Sequence, residues 1–271
     1  MEASYNYLTH WSDSLLAVGR FGFSLTELKE KYTEHSSAAL KLALKRMTDK
    51  GKILSVFKGY YLIIPPQYTS KGILPPNLFL DALMKHLGRP YYISLLNAAA
   101  FYGAAHQQPQ EYFVMTVFPA LRATQKKGLK INYISINEIP QSLLEKRKTE
   151  AGYIYISNPL LTACDLIQFE KRIGGLSRAT TVLNELTEVL KPLDFKVEIL
   201  NFVHITTLQR LGYLLKFECH QHELAETLFQ LLQKYKACLF RTALKPSQKT
   251  KGFPSDNRWK VIENAKIELD E

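Results

Sequence analysis

The chain has 271 residues, 46% apolar and 22% charged, which is an ordinary globular composition of a length that suits two domains and excludes extended disorder. A formal net charge of +10 favours an acidic partner such as nucleic acid. Only Cys164, Cys219 and Cys238 are present, unevenly spaced, and the longest apolar runs are too short to span a bilayer, so a disulfide framework and a membrane helix are excluded. With no signal-like N-terminus, the expected location is the cytoplasm.

The first sixty-six residues carry a dense set of signals. Leu8, Trp11, Leu15 and Val18 recur at three-and-four spacing, predicting a helix that Gly19 and Gly22 end. Ser24 followed by Glu27 predicts a capping box opening a second short helix, with Leu25, Leu28 and Tyr32 turned inward. Ser36 and Ser37 can cap a third helix whose core stripe is Leu40, Ala43, Leu44 and Met47. Gly51 sits where a left-handed residue ends it. Lys41 and Lys45, with Ala38 and Thr48, fall on the opposite face. Ile53 to Phe57 and Tyr60 to Ile64 then read as a hairpin with Lys58-Gly59 at its tip. Three helices followed by a hairpin predict a winged helix-turn-helix over residues 1–66. Such a unit suits duplex DNA, because the third helix fits the major groove and the basic tip can reach phosphate. The expected contacts are Ser36, Ser37, Lys41, Lys45 and Lys58.

A proline-rich stretch, 67–76, is the expected linker, and residues 77–271 the expected second domain. Asn77 to Leu87 and Ser94 to Gly103 read as helices, with Ser94 as N-cap. Tyr112 to Phe118, Ile131 to Ile136 and Tyr153 to Ser157 read as strands, and Arg122, Lys126, Lys127 and Lys130 make a basic turn between the first two. Asn158-Pro159 opens a helix bearing Leu160, Ala163, Leu166 and Ile167. Further helices are expected at Leu176 to Leu190, Asp194 to Val203, Thr207 to Lys216 and Glu223 to Tyr235. Short strands follow at Leu239 to Ala243 and Trp259 to Ile262, with a mobile basic loop, Lys245 to Asp256, between them. The expected fold class is α+β: a winged helix followed by a larger mixed α/β domain.

Chemistry is sparse. Cys219-His220-Gln-His222 lacks a second ligand pair at zinc-finger spacing, and Gly174-Gly175 lacks the lysine of a phosphate loop. Asp194 and Glu198 form a helix-spaced pair without the strand lysine of a nuclease site. Lone Asp165 reads as a structural hydrogen-bonding residue, and Tyr91-Tyr92 and Phe101-Tyr102 as core. No catalytic residue, metal ligand or cofactor is expected, so the chain is expected not to be an enzyme. Two rivals remain: a nuclease tethered to DNA, and a stand-alone regulator with a ligand- or protein-binding second domain.

Several blocks together resemble the AbiEi family of abortive-infection antitoxins. They are Leu44-Lys-Arg-Met-Thr-Asp-Lys-Gly51-Lys-Ile-Leu with Lys58-Gly-Tyr-Tyr-Leu62, Tyr92-Ile-Ser-Leu-Leu-Asn-Ala-Ala-Ala-Phe-Tyr-Gly103, and Ile156-Ser-Asn-Pro159-Leu-Leu-Thr162-Ala-Cys-Asp165-Leu166. Arg210-Leu-Gly-Tyr-Leu-Leu215 and the late Trp259 and Asn264 add two more. Tyr102 stands where the family pattern has histidine before the glycine. The resemblance implies a type IV toxin–antitoxin role. Such a protein represses its own operon by binding inverted repeats in the promoter, and its C-terminal domain counters a nucleotidyltransferase toxin with which it need not form a stable complex.

Overall fold

The computed structural model describes residues 6–105 and 111–269. Leu8, Trp11 and Leu15 form the buried side of helix α1 (Asn6–Ala17). The helix stops before Val18, which lies 71% exposed in the following turn and does not continue the stripe as its spacing suggested. Gly22 opens an unanticipated strand, β1 (Gly22–Ser24). It reads as a helix breaker, yet its role here is close approach: a Cβ at this position would lie 2.8 Å from the Tyr60 hydroxyl oxygen.

Ser24 Oγ accepts the Glu27 amide at 3.0 Å and starts α2 (Leu25–Lys31). The reciprocal half of the expected capping box is not made, because the Glu27 carboxylate pairs with Arg20 at 2.8 Å instead. Ser36 Oγ accepts the Ala39 amide at 3.2 Å at the head of α3 (Ser37–Asp49), whose buried residues are Leu40, Ala43, Leu44 and Met47. Gly51 follows with a φ of 68°. Strands β2 (Ile53–Phe57) and β3 (Tyr60–Ile63) form the hairpin, and β1 adds to β3 to give an antiparallel sheet in the order β1-β3-β2. Helices and sheet enclose one core in which Trp11 lies against Phe23 and the α3 stripe meets Ile53 and Ile63.

The stretch expected as a linker is built of two 3₁₀ turns, Pro66–Tyr68 and Pro76–Leu78, and buries Ile73 and Leu74 between them. Helix α4 (Leu80–His86) follows, shorter than expected because the 3₁₀ turn takes its first residues. Six strands then form one sheet: β4 (Tyr91–Ile93), β5 (Glu111–Val117), β6 (Thr124–Lys126), β7 (Leu129–Ile136), β8 (Leu144–Thr149) and β9 (Gly152–Ser157). Their order is β6-β7-β5-β4-β9-β8, with β5 parallel to β7 and β4 parallel to β9. The basic turn expected around 122–130 is the β6–β7 hairpin. Edge strand β8 carries Lys146, Arg147 and Lys148, charges that discourage pairing with another chain.

The rest is helical: α5 (Leu95–Phe101), α6 (Pro159–Gln168), α7 (Leu176–Leu186), α8 (Ile199–Phe202), α9 (Ile205–Phe217) and α10 (His222–Lys234). Where one helix was expected over 194–203, a 3₁₀ turn at Pro192–Asp194 precedes the single turn of α8. Two short strands, β10 (Thr242–Ala243) and β11 (Val261–Ile262), pair in parallel.

The chain divides into two compact units. One comprises Met1–Tyr92, Gln110–Ile139 and Lys146–Tyr155; the other comprises Ile93–Pro109, Pro140–Glu145 and Ile156–Glu271. The division does not follow the proline-rich stretch. Within the first unit, β1 packs against α4, β2 against β6, and the Tyr60 ring lies 5.1 Å from that of His86, so the N-terminal helices and hairpin share a unit with most of the sheet.

In the second unit α6 is buried along nearly its whole length and packs against α5, α7 and α9. Its entry explains the Pro-x-x-Thr-x-x-Asp-Leu block. Asn158 Oδ1 accepts the Leu161 amide at 2.8 Å, Pro159 occupies the first helical position, and the Thr162 and Ser157 hydroxyls meet at 2.6 Å. Ser94 Oγ donates to Asp165 Oδ2 at 2.5 Å and makes no capping bond to α5, contrary to the expectation from sequence. Asp165 therefore ties the start of α5 to α6. Tyr102 donates to the Ser157 carbonyl at 2.8 Å; Phe101, expected in the core, is partly exposed.

Candidate nucleic-acid interface

Helix α3 presents two unlike faces because its apolar residues fall at 40, 43, 44 and 47, one helical stripe turned to the core. The remaining positions face water. Lys41 and Lys45, one turn apart, are exposed, as are Ala38, Arg46 and Thr48. Among the described residues, no ion pair engages Lys41, Lys45, Arg46 or Lys58. Cations with no carboxylate to neutralise them leave a positive field on this face. The Thr48 hydroxyl is turned back to the Leu44 carbonyl at 2.9 Å. Leu42, 49% exposed, stands beside the lysines.

At the head of the helix the Ser36 hydroxyl is committed to the Ala39 amide, and Ser37 is the first helical residue, exposed. The amides of the first turn have no intrahelical acceptor, and a helix N-terminus favours an anion. Lys58 stands apart from α3 at the hairpin tip. There Gly59 adopts a φ of 78°, and its carbonyl accepts the Leu25 amide at 2.7 Å, which fastens the tip to the start of α2. Ser36, Ser37, Lys41 and Lys45 thus lie along one helix, and Lys58 projects from the hairpin that follows it.

Sequence reading overlooked Leu42 and Arg46. The signal for Leu42 was present, since position 42 falls outside the inward stripe, so an apolar residue there is displayed to solvent. Arg46 adjoins Lys45 and was masked by its proximity to the buried Met47.

The other candidate positions are structural. Among the described residues, no group of three or more His, Cys, Asp or Glu side chains is placed to hold a metal ion. Cys219 is buried where the chain leaves α9, and burial pushes its thiol up to about 12; burial likewise raises that of Cys164 on α6. Cys238 is the one exposed cysteine. Iodoacetamide at neutral pH is therefore expected to add one carbamidomethyl group to the folded protein, at Cys238, by mass spectrometry of its peptides; rapid labelling of Cys164 or Cys219 would contradict their burial.

The late tryptophan and asparagine serve the second unit. Gln209 on α9 donates to the carbonyls of Phe240 and Trp259 at 2.7 and 2.5 Å, and Arg210 donates to those of Leu244 and Ile167 at 2.8 and 3.2 Å. The Trp259 ring fills the space left by Gly212, where a Cβ would lie 2.1 Å from ring carbons. Asn264 bonds Lys245 through both its amide atoms and reaches the carbonyls of Gln248 and Lys249, so the start of the loop expected to be mobile is tied down. No helix among the described residues is long and apolar enough to cross a membrane.

Fold and surface together define an α+β protein with a basic helix and hairpin preceding a mixed body of sheet and helices. Residues 92–217 match the AbiEi antitoxin C-terminal domain, so a little under half of the chain is similar to that family. The match contains the blocks at 92–103, 156–166 and 210–215 and leaves the N-terminal helices outside it. Among solved structures, the chain is similar to the crystal structure of the RV2827C protein from Mycobacterium tuberculosis, with a TM-score of 0.66 and 17% identity over 95% of this chain and 91% of that one. That likeness concerns the fold. No curated protein sequence matches the chain.

Proposed function

We propose that this chain is an antitoxin and a transcriptional repressor, without catalytic activity of its own, that binds inverted repeats in its own promoter and counteracts a nucleotidyltransferase toxin; the match of residues 92–217 to the AbiEi antitoxin C-terminal domain supports the antitoxin half. The observation that carries the DNA-binding half is the water-facing side of α3, where exposed Lys41 and Lys45 have no ion-pair partner among the described residues. In this reading α3 enters the major groove. Lys41 and Lys45 meet phosphates, Leu42 offers an apolar surface to a thymine methyl, and the first-turn amides at Ser36 and Ser37 take a backbone phosphate. Lys58, a single flexible ammonium at a hairpin tip, adds affinity without reading bases. The unit expected over residues 1–66 acts as the DNA-reading part, and the family-matched segment serves neutralisation.

The test uses the full-length protein supplied in trans to cells expressing the product of the adjacent reading frame, expected to be a nucleotidyltransferase, together with a reporter driven by the chain's own upstream DNA. The expected outcome is restored growth together with repressed reporter. Lys58→Ala should weaken repression while leaving growth rescue intact. Growth rescue with an unaffected reporter would remove the repressor reading, and repression without rescue from that toxin would remove the assigned toxin class.

A further inference from the structure

The wing is not the only basic edge in the first unit. Strand β2 is an edge of the three-stranded sheet, β6 is an edge of the six-stranded sheet, and the two edges pack against each other. Each belongs to a stretch free of carboxylates: no Asp or Glu occurs at positions 50–80 or 112–137. The β6–β7 hairpin turns at Lys127-Gly128, both in the left-handed region with φ of 48° and 80°, a turn that holds Lys127 at an exposed tip. The Lys127 side chain lies over Gly72, with its Nζ 3.6 Å from where a Cβ would be, so it runs along the buried-residue stretch that follows the wing. Arg122, Lys126 and Lys127 are exposed and in no ion pair among the described residues, whereas Lys130 is neutralised by Glu111 at 2.8 Å.

We propose that the β6–β7 hairpin is a second phosphate-binding element, in which Lys126 and Lys127, supported by Arg122, contact the backbone of duplex DNA flanking the site held by α3 and the wing. The inference rests on the DNA-binding reading above and deepens it. Backbone contact is the chemistry that fits. Lysines on flexible stems are point charges suited to phosphate, and a strand edge without aromatic rings offers no stacking platform for single-stranded bases. An acidic protein segment would be drawn to the same charges, but it would not give a dependence on duplex length.

The experiment measures binding of the full chain to its upstream operator duplex over a range of salt, comparing the parent with Lys126→Gln/Lys127→Asn. Asparagine is chosen at 127 because it tolerates the left-handed backbone there. The single variant Lys126→Gln, which leaves the turn untouched, guards against a folding defect, and Lys41→Ala/Lys45→Ala serves as the reference. The log–log salt slope is expected to shrink by about 1.8 in the double hairpin variant and by about 0.9 in Lys126→Gln, since each phosphate that a lysine neutralises adds about 0.9 to the slope. The difference from the parent should vanish on a duplex cut back on the wing side by half a helical turn. An unchanged slope in both hairpin variants, with weakened binding and a smaller slope in the Lys41 and Lys45 reference, would overturn this inference and leave the DNA reading standing. An equal loss on long and shortened duplexes would overturn it too, because it would reveal a general field rather than a flanking contact. If the reference and the hairpin variants all bind as the parent does, the DNA reading falls and takes this inference with it.

Discussion

Gly212→Ala is expected to destabilise the protein by about 3 kcal/mol, at the upper end of overpacking costs, because the added methyl would sit 2.1 Å from carbons of the Trp259 ring. The ring cannot easily yield. Trp259 is among the largest fully buried side chains, its backbone carbonyl is held by Gln209, and Phe229 meets its ring edge-on at 5.3 Å. Trp259→Ala is expected to cost about 4 kcal/mol through reduced burial and the cavity left behind. The decisive comparison is the double variant. With the ring gone, the methyl at 212 has room, so the second substitution should add almost nothing to the first. Thermal denaturation of the four proteins reads this directly: additive losses would mean that Gly212 is required for some reason other than the ring.

The second large effect is expected on α3. Lys41→Ala/Lys45→Ala removes two exposed charges that make no ion pair among the described residues, so stability should change by less than about 0.5 kcal/mol. Binding to the operator should fall steeply, with the log–log salt slope shrinking by about 1.8 if each lysine meets one phosphate. Cognate and scrambled duplexes should lose affinity by similar factors, since phosphate contacts carry no sequence information. Leu42→Ala is the complementary change: it keeps the salt slope and is expected to reduce preference for the cognate duplex. A gel-shift titration with folding verified by circular dichroism separates the two, and unchanged affinity in the lysine variant would remove α3 from the interface.

The N-terminal helices were legible because their signals are local. The α3 stripe at Leu40, Ala43, Leu44 and Met47, the serine caps before α2 and α3 and the left-handed Gly51 and Gly59 all stand in the sequence within a few residues of what they determine. Strands β1 and β4 escaped notice because three residues carry no periodicity, and β8 because Leu144–Thr149 is an edge strand dominated by charges. Ser94 shows the limit of local reading. Its position before a helix predicts a cap, but a carboxylate seventy-one residues away takes its hydroxyl. The compact units were illegible for the same reason: prolines at 65–76 suggest a break, while burial of Ile73 and Leu74 and the packing of β2 on β6 are set by distant residues. At the candidate site the same stripe that places Lys41 and Lys45 outward also leaves Leu42 and Arg46 outside the core, but each adjoins a buried residue in sequence, Ala43 and Met47, and neither was singled out.

The measurement that bears most directly on the proposed role is a nuclease footprint of the full-length protein on the DNA upstream of its own gene, at physiological salt. Two protected half-sites related by a dyad are expected, each spanning a major groove, with protection abolished in the Lys41→Ala/Lys45→Ala protein. Uniform or absent protection by a folded protein, at concentrations that neutralise the toxin in cells, would contradict that role.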